Sequence, residues 1–240
     1  MPLPVRRVSR SRGAQFSEAA WPATVPAVAH VLRDGMTFGP LTVLVGENGS
    51  GKSTLVEAVA QAYGLSPEGG STGARHSTRA TESDLWRWLY LEREPGASRW
   101  GFFLRAETMH GFYTYLESNE QYAARPDARF HEMSHGESFI EVLASRFTST
   151  GLYVLDEPES ALSFSGCLAL VGLLHRMSLQ GNMQAIVATH SPIIAATPGA
   201  RILEVGEWGL REQSWQDLEL VQNWRGFLDD PQLYLRHVMP

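Results

Sequence analysis

The sequence predicts an α/β fold: a mainly parallel core sheet flanked by helices, with an antiparallel β-hairpin excursion. Three observations carry this. LTVLV (41–45) is an apolar, β-branched run that leads into a glycine-rich loop and then into the helical spacing of TLVEAVAQAYG (54–64). LYVLDE (152–157) is a second apolar run, ending on two adjacent carboxylates. A helix near 165–180 followed by the strand AIVAT (185–189) restores strand–helix alternation, which is the pattern of parallel strands buried on both faces.

The elements follow in order. The first twelve residues carry Arg6, Arg7, Arg10 and Arg12 and no acid, and read as a solvated leading strand or a loose tail. In the first helix Leu55, Val59 and Ala62 share one face, and Gly64 stops it. Residues 66–81 are rich in Gly, Ser and Thr and read as an irregular excursion. LWRWLYL (85–91) and WGFFLRA (100–106), with EPGA between them, read as an antiparallel hairpin. A helix is expected to begin near Glu137, and RILEV (201–205) is a last strand. In the tail, Trp215, Leu218, Val221, Trp224 and Leu228 recur at helical spacing and predict a terminal helix pair packed on the core. The whole is expected to form one domain over 1–240, with N-terminal strands, loop and first helix in 1–65. The insert is 66–132, the later motifs are 133–205, and the tail is 206–240.

Composition bounds the function. Hydrophobic residues make up 43% and charged residues 19%, so a packed core is expected rather than a disordered chain. The longest apolar stretches, such as CLALVGLL (167–174), are too short for a membrane helix. A lone cysteine, Cys167, excludes an internal disulfide and a thiol cluster, and fits a cytoplasmic location. A net charge of −6 argues against general coating of nucleic acid.

GENGSGKST (46–54) fits G-x-x-x-x-G-K-[ST] between a strand and a helix. Gly46, Gly49 and Gly51 let the backbone N–H groups of Glu47, Asn48 and Ser50 and their neighbours converge on an anion. The following helix adds its N-terminal dipole. Lys52 is the only lysine of the chain; its compact ammonium on a flexible stem reaches β- and γ-phosphate oxygens where a guanidinium would need another cradle. Ser53 is a candidate Mg²⁺ ligand and Thr54 a candidate α-phosphate contact.

LYVLDEPES (152–160) ends its strand on Asp156 and Glu157, and Pro158 closes it. In a protein with such a loop, Asp156 stands beside Mg²⁺ and Glu157 accepts a proton from the attacking water.

Together these motifs resemble the ATP-binding cassette (ABC) ATPases, over roughly residues 38–205. MSHGES (133–138) resembles the family signature, ESALS (159–163) its D-loop, ATHS (188–191) its switch histidine and RAET (105–108) its Q-loop. The resemblance implies ATP and Mg²⁺ as ligands and an ATP-dependent head-to-tail homodimer. In it Ser134, His135, Gly136 and Glu137 of one copy face the phosphate loop of the other. It also assigns His190 to the γ-phosphate and Glu107 to Mg²⁺ or its water. The sequence departs from the family pattern at three points. The signature holds SHGES, so an acid stands where an amide is usual; Ser163 replaces the D-loop aspartate; and Glu107 replaces the Q-loop glutamine. Trp21, beside Pro22, reads as packing a loop rather than stacking on adenine.

Within the family the sequence looks most like the soluble RecF/SMC-like branch and the small stand-alone bacterial ATPases. The expected role is then an ATPase that works with DNA or a DNA-processing partner. A transporter subunit docking on a membrane partner, and a slow dimerisation switch or scaffold, are the alternatives. Arg75, Arg79, Arg87, Arg93 and Arg99, interleaved with Trp86 and Trp88, form either a DNA-contacting patch or a solvated hairpin face.

Overall fold

A computed structural model describes residues 2–67, 69–71, 83–105, 140, 143–144, 147–236 and 238. The apolar runs become the centre of a sheet. β1 (Arg7–Arg10), α1 (Pro26–Asp34) and β2 (Met36–Thr37) come first, followed by β3 (Leu41–Val45) and α2 (Lys52–Tyr63). Next are β4 (Gly70–Ser71), the single helical turn α3 (Leu85–Trp88), β5 (Leu89–Glu92) and β6 (Gly101–Arg105). The later chain gives β7 (Gly151–Asp156), α4 (Phe164–Gln180), β8 (Met183–Thr189), the short α5 (Pro192–Ala195), β9 (Arg201–Gly206) and β10 (Gly209–Glu212). Helices α6 (Glu219–Asp229) and α7 (Pro231–Leu235) end it.

Seven strands form the main sheet in the order β10-β9-β3-β8-β7-β6-β4. The five inner strands are parallel, and β10 and β4 close the edges antiparallel. Side chains alternate across it. On one face Leu44, Leu152, Val154, Ile186 and Ala188 pack with α1 and α2; on the other Leu41, Val43, Val45, Tyr153, Leu155 and Val187 pack with α4 and the start of the tail. That two-sided cover is why every residue of β3, β7 and β8 is buried and why these strands read as unbroken apolar runs.

A second, three-stranded antiparallel sheet has the order β2-β1-β5. The leading arginine stretch is therefore a strand, with Val8 fully buried and Arg7 opposite Glu92. This corrects the expected hairpin. LWRW forms one helical turn instead of a strand, β5 pairs with β1, and β6 joins the main sheet parallel to β7. The alternation of LWRW reflects a turn in which Leu85 alone is buried, while Trp88 stacks on Phe16 at 4.5 Å.

The tail forms its helix pair, but only its beginning packs. Leu218 and Val221 are buried, whereas Trp224 and Leu228 are 49% and 70% exposed.

Candidate nucleotide site

Register brings the motifs together. Val45 of β3 lies opposite Thr189 of β8, and Asp156 of β7 lies opposite Ala188. The loops that leave these three strands therefore emerge side by side at the carboxyl edge of the sheet, where ligands of open α/β sheets bind.

The glycine loop curls as its sequence dictates. Gly49 and Gly51 have φ of +80° and +98°, and a Cβ on Gly46 would stand 2.4 Å from the Val205 carbonyl oxygen. Lys52 opens α2 and is only 2% exposed. Its Nζ donates to the carbonyl oxygens of Gly46 at 2.8 Å and Glu47 at 2.7 Å, so two of its three N–H donors hold the loop and a third remains for an anion. Burial lowers its pKa, and the carboxylates of Glu157, Asp156, Glu159 and Glu47 oppose that shift. The Ser50 hydroxyl is also buried, with no hydrogen-bond partner. Glu47, Asn48 and Gly49 lie at the exposed tip of the loop, and Thr54 is half-buried on the first turn of α2.

Asp156 is 6% exposed. Burial pushes its carboxyl up to about 6, against a hydrogen bond from Ser53 and the charge of Arg105. Oδ1 is buried without a partner. A buried carboxylate oxygen left unpaired beside a serine hydroxyl is a hard oxygen donor set, which fits Mg²⁺.

Glu157 has φ and ψ of 50° and is the one non-glycine residue of positive φ among the described residues. The left-handed conformation costs roughly 1–2 kcal/mol, and it is held by a hydrogen bond from the Glu157 N–H to the Ala188 carbonyl at 2.9 Å. The chain thus turns off the strand, so that the acid does not continue the pleat as Asp156's opposite neighbour. His190 follows β8, with Nδ1 3.8 Å from Glu157 Oε1 and 3.3 Å from Glu159 Oε1.

The structure thus brings Lys52, Ser53, Asp156, Glu157 and His190 to one edge. Glu107 and the signature residues Ser134, His135, Gly136 and Glu137 lie outside the described residues. Ser163 is the N-cap of α4 and accepts from the Gly166 N–H. Trp21 is 60% exposed. Arg87 pairs with Asp84 at 3.3 Å and Arg93 lies over the Tyr63 ring at 4.3 Å, so each is engaged by its own neighbours; Arg75 and Arg79 lie outside the described residues.

Two members of the site lie in motifs read from the sequence but receive no role of their own there. Arg105, at the end of β6, joins Glu57 of α2 to Asp156. Glu159 is buried beneath His190. The acid two positions after Glu157 in DEPES was the available signal, but which element it faces depends on the order of strands.

Known proteins align with this arrangement. The family model described as ABC transporter matches residues 35–160, just over half of the chain. No curated protein matches it. A solved metal-chelate-type ABC transporter in an inward-facing conformation matches at TM-score 0.51 and 16% identity, over 94% of this chain and 88% of that one. An SMC head domain from Thermotoga maritima gives 0.47 and 18%, over 75% and 93%. The cbiO1 protein from Clostridium perfringens, part of the ABC transporter complex cbiONQ, gives 0.47 and 17%, over 85% and 90%. At 16% identity the first of these shows a likeness of fold alone.

Proposed function

Since the chain belongs to the ABC transporter family and is an ABC-type nucleotide-binding domain, we infer that it binds ATP with Mg²⁺ and hydrolyses it to ADP and phosphate. The observation that carries this reading is the convergence of the Lys52 loop, the unpaired Asp156 oxygen and the Glu157–His190 pair on one sheet edge.

Backbone N–H groups of residues 46–54 hold the phosphates, and Lys52 adds its remaining N–H to the β- and γ-phosphate oxygens. Ser53 and Asp156 hold Mg²⁺, which when bound would neutralise phosphate charge. Glu157 takes a proton from water as the water oxygen bonds to the γ-phosphorus and the bond to the ADP oxygen breaks. His190 contacts the γ-phosphate. Ser134, His135, Gly136 and Glu137 of a second copy complete the site, so that ATP forms part of the dimer interface.

The test is light scattering on Glu157→Gln with and without Mg-ATP, beside phosphate release by the wild type. The variant should dimerise only with ATP and release phosphate at least about 100-fold more slowly. A variant that stays monomeric at saturating ATP would remove the dimer; a wild type that releases no phosphate would remove the ATPase.

DNA or a DNA-processing protein is the proposed partner. No helix of the described residues is long and apolar enough to cross a membrane; the competing reading is a transporter subunit that docks on a membrane-spanning partner. Stimulation of phosphate release by duplex DNA separates the two.

A further inference from the structure

Glu159 sits in the 3-10 turn after Pro158, two residues beyond Glu157, with its side chain only 8% exposed. Its Oε1 accepts from the Thr189 hydroxyl at 2.6 Å and from the His190 backbone N–H at 2.7 Å. The same oxygen lies 3.3 Å from His190 Nδ1. Its Oε2 is buried without a hydrogen-bond partner. Thr189 in turn accepts from the Ser191 N–H at 2.9 Å, so one carboxylate ties together the whole end of β8.

Anchoring alone does not need a charge. A glutamine oxygen could accept the same two hydrogen bonds, and would avoid the cost of a buried carboxylate with one oxygen unpaired. The feature that a charge serves is the imidazole: its buried Nδ1, which makes no hydrogen bond, lies 3.3 Å from Glu159 Oε1 and 3.8 Å from Glu157 Oε1, within reach of their charge. The His190 side chain is 40% exposed while Nδ1 itself is buried, so its exposed atoms lie elsewhere on the ring. A carboxylate facing Nδ1 favours a proton on that nitrogen and fixes the ring's orientation.

We propose that Glu159 is a positioning residue for His190, fixing through its charge which imidazole nitrogen is presented to the ligand. This deepens, and rests on, the reading of the site as an ATPase. It also joins the turn after Glu157 to the end of β8, since the Glu159 carboxylate accepts from both Thr189 and His190.

Glu159→Gln tests it, because an oxygen for both hydrogen bonds is retained and the fold is kept. The first readout is the ¹⁵N and ¹H signals of the His190 ring in nucleotide-free protein at mildly alkaline pH, assigned by their loss in His190→Gln. The second is kcat for ATP hydrolysis beside the affinity for a fluorescent ATP analogue. The expected result is ring signals that move toward the other tautomer, with kcat about tenfold lower and analogue affinity unchanged. Ring signals identical to wild type overturn the proposal, whatever happens to kcat. Moved signals with unchanged kcat in an active enzyme overturn it too. A wild type without ATPase activity would defeat the functional reading, and the ring signals alone would then decide whether Glu159 sets the histidine.

Discussion

Arg105 Nε stands 4.0 Å from Asp156 Oδ2, and the same guanidinium reaches Glu57 at 3.2 Å through Nη1. One cation at the end of β6 therefore serves an acid on α2 and an acid at the end of β7. Both pairs are largely shielded from water, with side-chain exposures of 22%, 14% and 8% for Arg105, Glu57 and Asp156. Even so, burial outweighs the guanidinium at Asp156, whose carboxyl is pushed from 3.8 to about 6.

That shift predicts a pH dependence. Between about pH 4 and pH 6 the folded protein keeps a proton on Asp156 that the unfolded chain has released. Stability from this residue is fully present below about 4 and is lost as pH rises through 6. The loss amounts to about 3 kcal/mol for a shift of this size. Asp156→Asn removes the dependence. In urea denaturation without nucleotide, the variant should match the wild type near pH 4 and exceed it near pH 8. With Mg-ATP the order should reverse, because the variant loses a metal ligand. Denaturation curves that stay parallel from pH 4 to pH 8 would mean that folding does not raise the Asp156 carboxyl.

The glycine loop predicts a ranking. A Cβ at Gly46 meets the Val205 carbonyl oxygen at 2.4 Å, and one at Gly51 meets Val25 Cγ1 at 2.5 Å with φ also positive. At Gly49 nothing lies within 4 Å, so only the positive φ opposes a side chain. Gly49→Ala should cost about 1 kcal/mol, and Gly46→Ala and Gly51→Ala about 2–3 kcal/mol each, since backbone or a β-branched neighbour must give way. Thermal melts give the stability order. Titration with a fluorescent ATP analogue should repeat it, as the clashes displace the N–H groups of the loop. Losses at Gly46 and Gly51 no larger than at Gly49 would show that the neighbouring atoms give way freely.

The chemistry of this edge was legible in the sequence because it rests on local patterns. Lys52 follows its glycines, Asp156 and Glu157 end an apolar strand, and each run buried on both faces announced its strand. What was not legible depends on which strands become neighbours. β5 pairs with β1 rather than with the nearby β6, a choice made by tertiary packing of Leu89 and Val8 in one core. Glu159 reads only as the first residue of the D-loop-like ESALS until β8 is laid beside β7. Arg105 reads as the end of a strand until α2 and Asp156 close over it.

The tail supplies the last prediction, and it separates helical spacing from packing. Leu218 is fully buried and Val221 nearly so, whereas Leu228, on the same predicted stripe, is 70% exposed. The start of α6 is also fixed by Glu204, which accepts from the Glu219 N–H at 2.7 Å and pairs with Arg211 at 2.6 Å. The helix is thus docked at its first turn and leaves the core along its length. Leu218→Ala should cost about 2–4 kcal/mol in urea denaturation through the cavity it leaves. Leu228→Ala should stay within about 0.5 kcal/mol, as for an exposed position. Comparable losses from both would require the distal half of α6 to be packed as well. The contrast is expected because periodicity fixes which side chains share a face of a helix, while burial depends on how far the neighbouring sheet extends beneath it.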